Sequence, residues 1–167
     1  MLEETYLKII SSKTASLFAA ATKVGSILAE RNSKYKEALE FYGKNLGLTF
    51  QIADDILDYN SELKSFGKNI GNDFFEGKVT LPIILSYLRS NNNEKKFWMK
   101  TIKHLNQDKN DLKKAVEIIN KYNCIEDTIE RAKHFANIAK DSLGVFKETI
   151  YKKTLINIVN SGLSRLS

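Results

Sequence analysis

Apolar residues recur along this chain at three- and four-residue intervals, and strict apolar–polar alternation is sustained nowhere, so the pattern predicts helices and no strands. Tyr6 to about Ala29 carries a stripe of Leu17, Ala20, Ala21, Val24, Ile27 and Leu28, interrupted early by Ser11-Ser12-Lys13-Thr14 as a kink or a cap. Asn32-Ser33 is placed to cap a helix from Lys34 to about Tyr59. Its Ala38, Phe41, Tyr42, Leu46, Thr49, Phe50, Ala53 and Leu57 spread over broad apolar faces, as expected of a helix buried in a bundle. Thr80 is placed to cap a helix to about Arg89, with Pro82 in the first turn, where proline is tolerated. Asn91-Asn92-Asn93 separates this from a shorter helix, Glu94 to about Leu105, and Asp108 is placed to cap the next, to Tyr122. Ile125, Ile129, Ala132, Ala136, Ala139, Leu143 and Phe146 form a packing seam in the penultimate helix. Tyr151, Leu155, Val159, Gly162 and Leu166 give the last one a narrower stripe. The expected fold is an all-α bundle of about seven helices, a single domain over residues 1–167. Asn60 to Gly77 is the longest irregular stretch, and a loop of that length in a compact domain is usually functional.

Composition narrows the function classes. The formal net charge of +6 invites a nucleic-acid reading, but the basic residues are spread through every helix. Only four are arginines, and nowhere do five basic residues fall together, so no nucleic-acid partner is expected. Cys124 is the sole cysteine, which rules out an intrachain disulfide. With His104 and His134 scattered, there is no Cys/His cluster for zinc. Charges fall among the apolar positions from Leu2 to Lys13, unlike a signal peptide. The longest apolar run, Val79 to Leu88, is too short to span a bilayer. The expectation is a cytoplasmic protein with at most peripheral membrane contact.

The chemistry concentrates where the second helix ends. Asp54, Asp55 and Asp58 are spaced three and four residues apart, which places them on one side of one turn. Like charges at that spacing repel, and the C-terminal end of the helix dipole disfavours anions. A bound cation relieves both, and three carboxylates offer hard oxygen ligands suited to Mg²⁺ shared with substrate phosphates. Lys13, Lys68 and Lys78 are candidate phosphate partners, Gly67 and Gly77 allow close backbone approach, and Thr14 offers a hydroxyl beside Lys13. On the residues alone two readings stand: a metal–diphosphate clamp, or acids and lysines that merely solvate a helix end and a loop.

The run FQIADDILDY, then Gly67-Lys68 nine residues beyond Asp58, then GNDFFEGKVTLPIIL, resembles the second half of the trans-type isoprenyl (polyprenyl) diphosphate synthases. YLKIISSKTASLF is similar to that family's Lys-Thr helix, and GKNLGLTFQIADD to its G-x-x-x-G lead into the second aspartate-rich motif. In wording, ILDY and EGKVTLP are most like the long-chain bacterial enzymes of octaprenyl type. The resemblance implies the second half of an isoprenoid synthase fold and a prenyltransferase of isoprenoid synthesis. Its substrates would be an allylic prenyl diphosphate and isopentenyl diphosphate. It also implies roles. Asp54 would ligate Mg²⁺ bridging to the allylic diphosphate, with Asp55 and Asp58 completing the acidic cluster directly or through water. Lys13 and Lys68 would hold that diphosphate. Thr14 and Gln51 would lie beside the reacting carbon, Phe50 would line the pocket, and Lys78 would add charge farther out.

The departure from the family is large. Its members run to roughly twice this length and carry a first DDxxD, whereas here the other paired acids, Glu3-Glu4 and Glu126-Asp127, lie in no such frame. The expectation is therefore little activity from the chain alone, with either self-association or pairing with a missing N-terminal half. A non-catalytic helical subunit that retains a diphosphate-binding relic is the rival reading.

Overall fold

The computed structural model describes residues 1–59 and 71–166, and its regular structure is all α-helical, as the periodicity predicts. Helix α1 (Glu3–Ile10) runs through a π-helical turn, Ser11–Ala15, into α2 (Ser16–Leu28). The Ser-Ser-Lys-Thr interruption is thus a widened turn within a continuing helix rather than a break. Helix α3 spans Ser33–Leu57, its start held by the Asn32 carbonyl, which accepts from Tyr35 and Lys36. A short α4 (Asn72–Phe75), not expected from the pattern, lies in the stretch read as irregular. Then follow α5 (Leu81–Arg89), α6 (Asn92–Trp98) with a π-helical extension Met99–Lys103, α7 (Asp111–Lys121), α8 (Cys124–Ser142) with a 3₁₀ turn Leu143–Val145, and α9 (Ile150–Ser164).

The caps differ in detail from expectation. Asn91 caps α6 in a full capping box, its side chain accepting from the Asn93 and Glu94 backbone while Glu94 accepts from the Asn91 N–H. Thr80 holds the cap position of α5 in extended conformation, but its buried hydroxyl makes no capping bond. Helix α7 starts at Asp111 with Asn110 at the cap position, so Asp108 sits two positions before the cap, where it accepts from the Asn110 N–H.

Contacts divide the chain into two compact units. The first comprises Met1–Tyr6 and Asp54–Ile129. Its interior holds Phe74, Leu81, Trp98 and Ile119, and the Trp98 indole N–H donates to the Ser90 hydroxyl at 3.2 Å. After α4 the backbone turns through Gly77 in the left-handed region (φ 67°), with the Leu105 side chain where a Cβ would stand. That turn accounts for Gly77 without any ligand.

The second unit comprises Leu7–Ala53 and Glu130–Ser167. Tyr42, Leu46, Ala136, Ala139, Leu143 and Val159 form its core, with Phe18, Leu39 and Leu155 packed against it. Small residues let α2 and α3 approach closely. A Cβ on Gly47 would stand 2.7 Å from the Ala15 Cα, and one on Gly43 would overlap the Phe18 carbonyl. Thr22 donates across to the Leu39 carbonyl at 2.6 Å. The docking face of the π-helical turn and α2 is therefore built of small residues, Ala15, Ala19 and Thr22. The larger apolar residues of its stripe point the other way: Leu17 is 72% exposed, Val24 48% and Leu28 79%. Among the described residues no helix is long and apolar enough to cross a membrane.

Candidate functional site

Helix α3 ends at Leu57, within a five-residue run that carries three acids, Asp54, Asp55 and Asp58. The three acids do not share one side as their spacing suggests: consecutive helical residues point about 100° apart, so Asp54 and Asp55 face different ways. Asp54 is half-buried, while Asp55 is buried at 3% exposure and Asp58 is half-buried in the turn just past the helix. A buried carboxylate needs donors. One is the hydroxyl of Tyr6, itself 3% exposed, which donates to Asp55 Oδ2 at 2.7 Å. Burial first, and then the Asp55 charge, push the Tyr6 hydroxyl well above its ordinary pKa, so it stays a donor.

Asp58 Oδ2 accepts the backbone N–H of Asp73, at the start of α4, at 2.9 Å. Asp73 in turn binds the Lys78 ammonium at 2.8 Å, and Glu76 binds it at 2.7 Å. The hydrogen bond with Asp73 is the main cause holding the Lys78 pKa above its ordinary value. Lys78 thus shares its charge with two carboxylates. The hydroxyl of the adjacent Tyr59 is buried beside that of Thr80. Burial, more than the nearby carboxylates, raises its pKa.

Among the described residues, no three His, Cys, Asp or Glu side chains gather into a group that would hold a metal ion unaided. The donor set nevertheless fits Mg²⁺. That ion is usually held by one or two carboxylates, with waters and substrate phosphates completing the shell. Asp54 and Asp58 supply hard oxygens of the right kind.

In the second unit, Lys13 is exposed on the π-helical turn, and the neighbouring Thr14 hydroxyl donates to Gln51 Oε1 at 2.9 Å. The two residues named as flanking the reacting carbon are therefore in direct contact, 37 positions apart in sequence. Phe50 is 42% exposed, with its ring 5.9 Å from that of Phe18 and the Arg165 guanidinium 5.2 Å over its face. Lys68, with Gly67, lies outside the described residues.

Two participants escaped the sequence reading. Asp73 sits in GNDFFEGK beside the lysine singled out there, and an acid five positions before that lysine was the available signal. Tyr6 opens the Lys-Thr stretch, but nothing local marks it as the partner of an acid 49 positions away.

Comparison with known proteins matches residues 1–119 to the polyprenyl synthetase family. The chain is 35% identical over 163 residues to octaprenyl diphosphate synthase of Escherichia coli, covering 98% of this chain and 50% of that protein. A decaprenyl diphosphate synthase from Rhodobacter capsulatus superposes with a TM-score of 0.94 at 34% identity, covering all of this chain and 51% of that one. A polyprenyl synthase from Caulobacter crescentus, solved with calcium and isoprenyl diphosphate, gives 0.93 at 39% identity, again over all of this chain and 51% of that one. The chain spans about half the length of the curated relatives it matches.

Proposed function

Because this chain belongs to the polyprenyl synthetase family, we propose that it carries the allylic-diphosphate half of a polyprenyl diphosphate synthase site, of octaprenyl type. The reaction transfers an allylic prenyl group head-to-tail to isopentenyl diphosphate. The allylic C–O bond breaks with its electron pair on the diphosphate, the isopentenyl double bond forms the new C–C bond, and a proton leaves. The observation that carries the reading is the Thr14–Gln51 hydrogen bond beside Lys13. Further along α3, Asp54 follows Gln51 by three residues.

Each described residue then has a role that its setting supports, and Lys68 takes its role from the family resemblance. Lys13, with Lys68, holds the diphosphate and stabilises its departure as a point charge. The Thr14 hydroxyl donates to Gln51 Oε1, which holds two acceptor oxygens together for the positive charge that develops on the allylic carbon. Phe50 lines the apolar side of the same pocket. Lys78, already shared between Asp73 and Glu76, shapes the turn after α4 and adds its charge farther out. Asp54 and Asp58 would hold Mg²⁺ together with phosphate oxygens. Bound there, the ion would draw charge from the leaving diphosphate. The Caulobacter relative, complexed with a divalent cation and isoprenyl diphosphate, supports this ligand class.

Isothermal calorimetry with farnesyl diphosphate and Mg²⁺ tests the site. The expected result is Mg²⁺-dependent binding that Asp54→Ala weakens at least about tenfold, the scale of one lost charged contact. Equal affinity for the two proteins overturns the assignment.

A half-site also bears on activity and partners. With no first aspartate-rich cluster beside the one at Asp54, Asp55 and Asp58, the chain alone should transfer little or no prenyl group, and an N-terminal half should restore transfer. The outward apolar stripe of α2 supports such pairing, and it equally favours the second reading, a non-catalytic helical subunit that keeps the diphosphate site.

A further inference from the structure

The tandem acids at the end of α3 have unequal settings, and the cause lies outside the motif. Asp54 is half-buried, whereas Asp55 and the Tyr6 side chain that binds it are each 3% exposed. The bond between them is short, at 2.7 Å, and is made by a residue of α1 that the sequence places 49 positions away. A hydroxyl bonded to an ionised carboxylate is among the stronger hydrogen bonds available to a side chain. It fixes a rotamer as well as a charge. On a helix, fixing Asp55 inward fixes the direction of Asp54 about 100° away.

We infer that Tyr6 is a positioning residue. Its hydroxyl anchors Asp55 in the interior of the first unit, and so aims Asp54 alone of the tandem pair at the metal-bound diphosphate. The inference rests on the proposed diphosphate site and refines it. Asp55 ceases to be a ligand held in reserve and becomes the fixed end of a brace, and α1 becomes part of the site without touching substrate. The same brace explains how a buried acid is tolerated beside a second acid at a helix C-terminus, where the dipole disfavours both. The ring of Tyr6 packs, while its hydroxyl aims. The two functions separate in a single substitution, because phenylalanine keeps the ring.

Titrating Mg²⁺ at saturating inorganic pyrophosphate, with calorimetric detection, reads the effect in the full chain. Tyr6→Phe should raise the Mg²⁺ concentration needed for half-maximal pyrophosphate binding about tenfold, while helicity by circular dichroism stays that of wild type. A side chain with only a packing role would leave this midpoint unmoved, since the ring remains. If wild type and Tyr6→Phe titrate alike, the positioning role is overturned and the diphosphate site stands. If wild type itself binds no pyrophosphate with Mg²⁺, the site assignment falls and the inference falls with it. Should Tyr6→Phe fail to fold, Asp55→Asn against Asp55→Ala decides the question. Asparagine still accepts from the Tyr6 hydroxyl and should stay within about threefold of wild type, whereas alanine should lose about tenfold. Equal losses for the two variants overturn the brace.

Discussion

Helices α2 and α8 both repeat apolar residues every three or four positions, yet they treat those residues in opposite ways. In α8 and the turn after it, Ala132, Ala136, Ala139 and Leu143 are completely buried. In α2, Leu17 and Leu28 are more than two-thirds exposed, and the helix with its preceding π-helical turn docks instead through Thr22 and Ala15 against Gly43 and Gly47 of α3. Periodicity announces that a face is apolar. It does not say what covers it. For α8 the cover is Tyr42, Leu46 and Val159 of the same unit. For α2 the outward stripe is exposed among the described residues, and the chain is about half the length of its relatives. The proposed reading joins these two facts: the stripe is an interface for a second chain or for the other half of the fold.

The contrast is sharpest in stability. Leu143→Ala removes a fully buried side chain from the second unit's core and should destabilise by about 2–5 kcal/mol. Leu17→Ala, on the outward stripe, should stay within about 0.5 kcal/mol. Chemical denaturation of both variants checks this, and comparable losses would mean that the stripe is already covered.

Association sharpens the same contrast without touching the core. Wild type should show a weight-average mass above monomer by light scattering as its concentration rises, and the double variant Leu17→Lys, Leu28→Lys should return to monomer with its helicity intact. A wild-type mass equal to monomer over a wide concentration range contradicts self-association.

Much of this was legible in the sequence, for identifiable reasons. The helices followed from spacing because apolar faces must be buried, and the short α4 was missed because four residues carry no period. Asp54, Asp55 and Asp58 were marked as a candidate site by acids concentrated where an apolar run stops, Lys13 as a candidate phosphate partner by its charge, and Gln51 by family resemblance alone. The Thr14–Gln51 contact was suggested only by family resemblance, and the Tyr6–Asp55 brace not at all, because each joins residues far apart in the chain. Which side of α2 docks was illegible for a simpler reason. Small and large residues both count as apolar in a pattern, but only small ones fit against Gly43 and Gly47.

The most direct test of the half-site account is a prenyl-transfer assay with Mg²⁺, farnesyl diphosphate and labelled isopentenyl diphosphate. The assay compares this chain alone with the chain mixed with the N-terminal half of a related octaprenyl synthase. The account predicts negligible product from the chain alone and product from the mixture, lost again with Leu17→Lys, Leu28→Lys. Robust transfer by the purified chain alone would contradict it.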